Sequence, residues 1–177
     1  MTCETIHGTE AAAVSPLEAG RFKDVFRRHP AGVVVVGLRG PDGALVGLTV
    51  SSVISVSADP PILAFSVAST SSSWPAVLAA TTVAVSFLAD DQHQVAARFA
   101  RHGIDRFAAG GWTLLPTGEP VIDGATAWIQ GEVVQRAPVG GSYLVAVLAL
   151  AASSREGVQP LVYRDRTYHR LGERREL

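Results

Sequence analysis

The stretch "GLTVSSVISVSADPP", residues 47 to 61, decides how the chain folds and poses the question of what it binds. Its period is two. The odd positions are Thr49, Ser51, Val53, Ser55 and Ser57; the even positions are Leu48, Val50, Ser52, Ile54 and Val56. Successive side chains of a strand point to opposite faces, so one face here is mostly aliphatic and wants a core. The other face is lined with short hydroxyls. Water satisfies such a face, and so does a polar ligand. Pro60-Pro61 stops the run.

The flanking sequence is also β-rich. "GVVVVGL" reads as a buried strand, and "GPDGA" as a turn carrying Asp42-Gly43. "ILAFSV" and "TVAVSFL" are short β-branched runs. "TAWIQGEVVQR" and "SYLVAVLALAAS" follow, and "PLVYRDRTYHRL" reads as a hairpin around Asp165-Arg166. Two helices are predicted. In "SPLEAGRFKDVFRRH", Ser15 as N-cap, Pro16 at N1 and Glu18 at N3 make a capping box. Leu17, Phe22, Val25 and Phe26 give an apolar stripe, and Pro30 ends the helix. In "DDQHQVAARFARH", Asp90 is the expected N-cap, with Val95 and Phe99 one turn apart. Residues 1–14 read as a flexible tail and 15–177 as one domain, without repeats or linkers. Many short strands with few helices imply a mainly β, antiparallel barrel or sandwich and argue against a Rossmann domain.

Composition narrows the function. At 177 residues, 47% hydrophobic and 18% charged, the chain has material for one well-formed core. The net charge is −1, with no basic run, which argues against nucleic acid as a partner. Lys23 is the only lysine and lies in an ordinary helix pattern, so Schiff-base chemistry is not expected. The single cysteine, Cys3, permits neither an internal disulfide nor a thiolate cluster. "MTCETIHGTE" lacks a secretory pattern, and the apolar run "LVAVLALAA" is too short to span a bilayer, so a cytoplasmic protein is expected.

Neither G-x-G-x-x-G nor G-x-S-x-G occurs. No histidine pair has metal-ligand spacing; His93 near Asp90 and Asp91 reads as a solvated helix surface. "SVASTSSSWPAVLAA" is more informative. Ser69, Thr70, Ser71, Ser72 and Ser73 crowd a loop before Trp74-Pro75 opens a helical turn. Helix N-termini and hydroxyls suit a phosphate, although a Ser-rich surface loop is ordinary by itself. Two hydroxyl-rich segments one strand apart can line one cleft of an antiparallel sheet.

"HPAGVVVVG", the opening stretch, "SSSWPAV", "VAVSFLADDQHQVAARFA", "DRFAAGGW", "GEPVIDGATAWIQGEV" and "PLVYRDRTYHRL" occur in an order that resembles the flavin reductase-like family. The resemblance covers roughly residues 20 to 171 and implies a split β-barrel of Greek-key type that binds FMN or FAD and forms homodimers. It places Thr49, Val50, Ser51 and Ser52, then Ser55, Ser57 and Pro60, against the flavin. Ser71, Ser72, Ser73 and Trp74 match the phosphate-side loop. Pro30 and Gly32 match a P-T-G element, with Ala31 where Thr is usual, and Arg106 matches a basic position beside Phe. Where the family has G-D-H near the nicotinamide, this chain has Gly140, Gly141, Ser142 and Tyr143. Gly141, Ser142 and Tyr143 are the expected nicotinamide-side residues; Tyr143 either stacks on that ring or simply packs. Ser86 replaces the family's Asn.

The resemblance implies an NAD(P)H:flavin oxidoreductase that passes hydride from nicotinamide to flavin N5. NADH or NADPH would be the donor, and a flavin-dependent monooxygenase would receive the reduced flavin. No catalytic side chain is required, because the flavin carries the chemistry. The alternative keeps the flavin site without the reductase step.

Overall fold

The computed structural model describes residues 15–172. The tail expected over residues 1–14, Cys3 included, lies outside them. In chain order the elements are α1 (Ala19–Arg27), β1 (Ala31–Gly32), β2 (Val34–Arg39), β3 (Leu45–Val50), β4 (Ile54–Ala58), β5 (Pro61–Ala68), α2 (Trp74–Ala79), β6 (Thr82–Phe87), α3 (His93–Ala100), β7 (Trp112–Leu114), β8 (Pro120–Ile122), β9 (Ala127–Val139), β10 (Ser142–Ser154), β11 (Val162–Arg164) and β12 (Thr167–His169). Among the described residues no helix is long and apolar enough to cross a membrane.

Seven strands form one antiparallel sheet in the order β3-β2-β6-β9-β10-β5-β4. Its edge strands, β3 and β4, are consecutive in the chain and parted only by residues 51–53. A twisted sheet whose two edges are joined this closely has to curl on itself. No backbone ladder closes the seam among the described residues. Ser52 bridges it instead: its hydroxyl donates to the Ser66 carbonyl and accepts from the Ser66 N–H and hydroxyl. The chain is thus mainly β, with a curled antiparallel sheet that the backbone leaves open, in keeping with the split-barrel expectation.

The opening stretch is therefore not one strand, and its alternation survives only in the first half. Leu48 and Val50 are buried in the barrel core. After the break, Ile54 and Val56 are each 55% exposed. β4 is an edge strand with a register shift between Ser55 and Ser57.

β2 explains why "VVVV" shows no alternation. Val34, Val36 and Leu38 point into the barrel with Phe65, Val85 and Val145. Val33, just before the strand, and Val35 point outward, into a second core with Phe99, Phe107, Ile122 and Leu161. A strand buried on both faces reads as a continuous apolar run. Gly37 faces Pro120 so closely that a Cβ has no room. Ser86, in the family's Asn position, is buried and accepts the Ile122 N–H at 3.0 Å, which fixes β8 over β6.

The hairpin expected around Asp165-Arg166 forms. Asp165 and Arg166 take φ of 50° and 61° between β11 and β12. Gly140-Gly141 joins β9 to β10, with Val139 paired to Ser142. The helix starts require correction. α1 begins at Ala19 with Glu18 as N-cap and no side-chain capping bond, so the Ser15 capping box does not form. Its expected apolar stripe is also unburied: Phe22, Val25 and Phe26 are more than half exposed. α3 begins at His93 with Gln92, not Asp90, as N-cap. Gln92 holds that end by accepting the Ala89 N–H and donating to the Asp123 carbonyl.

Candidate functional site

The break between β3 and β4 creates the site. Ladder pairing of β3 with β2 ends at Val50–Val34. Among the described residues, the N–H groups of Ser51, Ser52 and Val53 make no backbone hydrogen bond. Ser51 and Ser52 are exposed, so these donors are open to water or to a ligand.

Two cavities meet there and share Ser51 and Ser52. The first, about 530 Å³, is lined by Thr49, Val50, Ser66, Thr70, Ser71, His102 and Arg106, among others. The second, about 720 Å³, runs from Pro30, Ala31 and Gly32 past Val53 and Ile54 toward α1 and the β11–β12 turn. Together they form one trough, with hydroxyls and a cation at one end and aromatic and apolar walls at the other.

Arg106 is the hub of the polar end. Its guanidinium donates to the Arg101 carbonyl at 2.8 Å, to the Gly47 carbonyl, and to the Ser73 hydroxyl at 2.9 Å. These bonds tie the loop after α3 to β3 and to the start of α2. Burial pulls its pKa below the ordinary value, but a guanidinium so held stays charged at neutral pH. Gly47 permits this arrangement, since a Cβ there would lie 2.5 to 2.9 Å from the Phe99 and Phe107 rings.

The expected flavin residues divide into groups. Thr49 lines the trough, but its hydroxyl donates to the Ala96 carbonyl at 2.7 Å and so pins α3. Ser52 is engaged with Ser66 across the seam. Ser51 is exposed, and its hydroxyl has no protein partner among the described residues. Ser71 lines the polar end, and its hydroxyl accepts the Ser73 N–H. Ser72 sits 3.3 Å from His102 Nδ1. Ser73 is buried beneath Arg106. Pro30 and Gly32 border the wider cavity, where Gly32 faces open space. Ser55, Ser57 and Pro60 line neither cavity, because the break and the register shift turn β4 away from β3.

Trp74 and Tyr143 stack on each other, with centroids 3.9 Å apart and planes 18° apart, against the barrel core. In this stack the Tyr143 ring is packed against Trp74. Gly141, Ser142 and Tyr143 line neither cavity, although the Gly141 carbonyl accepts the Ser69 N–H and hydroxyl and so braces the Ser-rich loop. Sequence reading missed His102, Ser66 and the α1 side of the trough. Only the i,i+4 pairs Phe22–Phe26 and Lys23–Arg27 signalled that last wall.

The trough suits a flavin on its donor chemistry. Free N–H groups and Ser51 match ring carbonyls, Thr70 and Ser71 match a polyol, and Arg106 with His102 matches a phosphate.

Residues 26–172 match the model of the flavin reductase like domain. The chain belongs to this family. This flavin reductase-like protein is 41% identical over 157 residues to an NADH:FMN oxidoreductase of Rhodococcus erythropolis, covering 86% of this chain and 81% of the other. It is 31% identical over 141 residues to the reductase subunit of a flavin-dependent monooxygenase of Rhodococcus jostii, covering 80% and 71%. A flavin reductase domain protein from Arthrobacter superposes with a TM-score of 0.83 at 34% identity, covering 89% of this chain and 98% of that one.

Proposed function

We propose that the protein is an NADH:flavin oxidoreductase that delivers reduced flavin to a separate monooxygenase. The observation that carries this reading is the trough at the β3–β4 break, with free donors at its waist and hydroxyls and Arg106 at one end. Bound flavin supplies the redox chemistry, accepting hydride at N5. The chain's residues bind and orient. Ser51 and the N–H groups of residues 51–53 meet the ring edge. Thr70, Ser71 and Arg106, which line the polar end, would hold the side chain and phosphate. Pro30, Ala31 and Gly32 border the wider cavity of about 720 Å³, which would admit a second planar ring. Exposed trough residues such as Ser51, Ser52 and Thr70 would let flavin come and go as a substrate, which suits delivery to a partner. The likeness to a monooxygenase reductase subunit supports that partner class.

A homodimer belongs to the same proposal. Ile54, Ala64 and Ala146 share one row across β4, β5 and β10. Ile54 at one end of that row and Leu144, two residues from Ala146, are exposed apolar side chains suited to a two-fold contact. Sedimentation at micromolar concentration checks it; a monomer alone would contradict it. Cytoplasmic residence, where reduced nicotinamide is available, completes the reading.

The test is oxidation of NADH and NADPH with added FMN, FAD or riboflavin. Flavin-dependent turnover is expected. Flavin binding without turnover would instead support a flavin protein that lacks the reductase step.

A further inference from the structure

The polar end of the trough has fewer donors to offer a ligand than its sequence promises. The Ser69 hydroxyl donates to the Gly141 carbonyl, and the Thr49 hydroxyl to the Ala96 carbonyl. The Ser73 hydroxyl accepts from Arg106 and lies buried beneath it. Arg106 itself commits Nε to the Arg101 carbonyl and Nη1 to Gly47 and Ser73. These groups brace the fold. Among the described residues, three donors there have no protein acceptor. They are the exposed Thr70 hydroxyl, the Ser71 hydroxyl, which accepts the Ser73 N–H but donates to nothing, and Nη2 of Arg106.

His102 supplies a fourth. It follows α3 and the extended C-cap residue Arg101, whose carbonyl Arg106 holds at 2.8 Å. The bond that anchors Arg106 thus also fixes the stem of the loop carrying His102. His102 is exposed, lines the polar cavity of about 530 Å³, and has Nδ1 3.3 Å from the Ser72 hydroxyl. A hydroxyl donating to Nδ1 leaves the ring proton on Nε2, which becomes the donor open to a ligand. Among the described residues, no carboxylate lines this cavity. The nearest acid along the chain, Asp105, accepts the Phe107 N–H at 2.9 Å and lines a neighbouring cavity of about 210 Å³ instead. The polar end therefore gathers uncommitted donors and a guanidinium with no anion among them.

Such an end distinguishes flavins by their phosphate. A phosphate monoester brings three acceptor oxygens and a charge of about −1.5 to −2 at neutral pH. FMN ends in such a group. In FAD the same phosphorus is esterified again, which removes one acceptor oxygen and the second charge, and riboflavin has no phosphate. We propose that His102 is a specificity-determining residue that selects FMN over FAD and riboflavin, its Nε2–H donating to the terminal phosphate. Ser72 acts as a positioning residue, holding the tautomer through Nδ1. This inference rests on the flavin reductase reading and deepens it by naming the flavin.

Titrations of FMN, FAD and riboflavin, followed by flavin fluorescence, test it in the parent, His102→Ala and His102→Gln. The parent should hold FMN about tenfold or more tightly than riboflavin, and more tightly than FAD. His102→Ala should weaken FMN about tenfold, the worth of one hydrogen bond to a charged group, and leave riboflavin within about twofold. FAD should lose less than FMN, so the preference narrows. His102→Gln returns a neutral N–H donor and should recover part of the FMN affinity. Equal loss of FMN and riboflavin in His102→Ala would mark a structural role and overturn the proposal. Unchanged FMN affinity in that variant, or a parent that binds FMN no better than riboflavin or FAD, would overturn it too. In each of those cases flavin still binds, so the flavin reading stands. A parent that binds none of the three flavins would overturn that reading and the proposal with it.

Discussion

Replacing Arg106 by Met isolates the brace at the polar end of the trough. The side chain makes three hydrogen bonds, two of them to groups with little other recourse. Ser73 is 2% exposed, and the Gly47 backbone is buried under Phe99 and Phe107. An orphaned buried polar group costs ~1–3 kcal/mol. The Arg101 carbonyl is exposed and turns to water. Two orphans give ~2–6 kcal/mol, and water entering from the trough favours the lower half, ~2–4 kcal/mol. Urea unfolding of the flavin-free protein reads this as a lower midpoint at unchanged slope. In a Ser73→Ala background the same replacement should cost ~1–2 kcal/mol less, since one orphan is already gone. A loss below ~0.5 kcal/mol in flavin-free protein, with no coupling to Ser73, would refute the bracing argument.

Gly131→Ala should destabilise by ~3 kcal/mol, because the new methyl meets the Leu148 carbonyl inside van der Waals contact and lies 2.7 Å from Val147 Cγ1; thermal unfolding checks it. Burial pushes the Glu119 pKa up, but hydrogen bonds from Thr117, Thr82, its own backbone and Gln130 outweigh this and leave it lowered from 4.5. Its contribution is thus fully present above the unfolded-state value of 4.5 and lost as pH falls through the lower folded-state value. Glu119→Gln should flatten the pH dependence of stability in that acid window, and an unchanged profile would count against it. Tyr143→Ala should cost ~2–4 kcal/mol through removal of the stack and its burial while leaving the KM for NADH within about twofold; a large KM effect with little loss of stability would restore a nicotinamide-side role.

The strands were legible because their residues obey local rules. β-branched runs, the Asp165-Arg166 turn and the Gly140-Gly141 turn each select one backbone path. The break at Ser51–Val53 was not legible, because period two continues straight through it. The seam is closed by a side chain, Ser52 on Ser66, and no local pattern announces a contact between such distant residues. For the same reason Thr49 and Ser51 look equivalent in sequence, yet one hydroxyl pins α3 and the other faces the trough. The capping box at Ser15 fails where propensity stands alone: α1 buries none of its side chains, so no packing supports an earlier start. Arg106 was found through family likeness, whereas its bonds to Gly47 and Ser73 required the fold.

The central claim is that flavin is reduced in the trough opened by the β3–β4 break. Anaerobic reduction of FMN by NADH, followed across a range of FMN concentrations, tests it in the parent protein and in Ser51→Ala. The parent should bleach many equivalents of FMN. The variant should need ~2–10-fold more FMN for half-maximal rate, the worth of one neutral hydrogen bond, with the saturating rate little changed. No bleaching in the parent, or identical FMN dependence in the two proteins, would contradict the account.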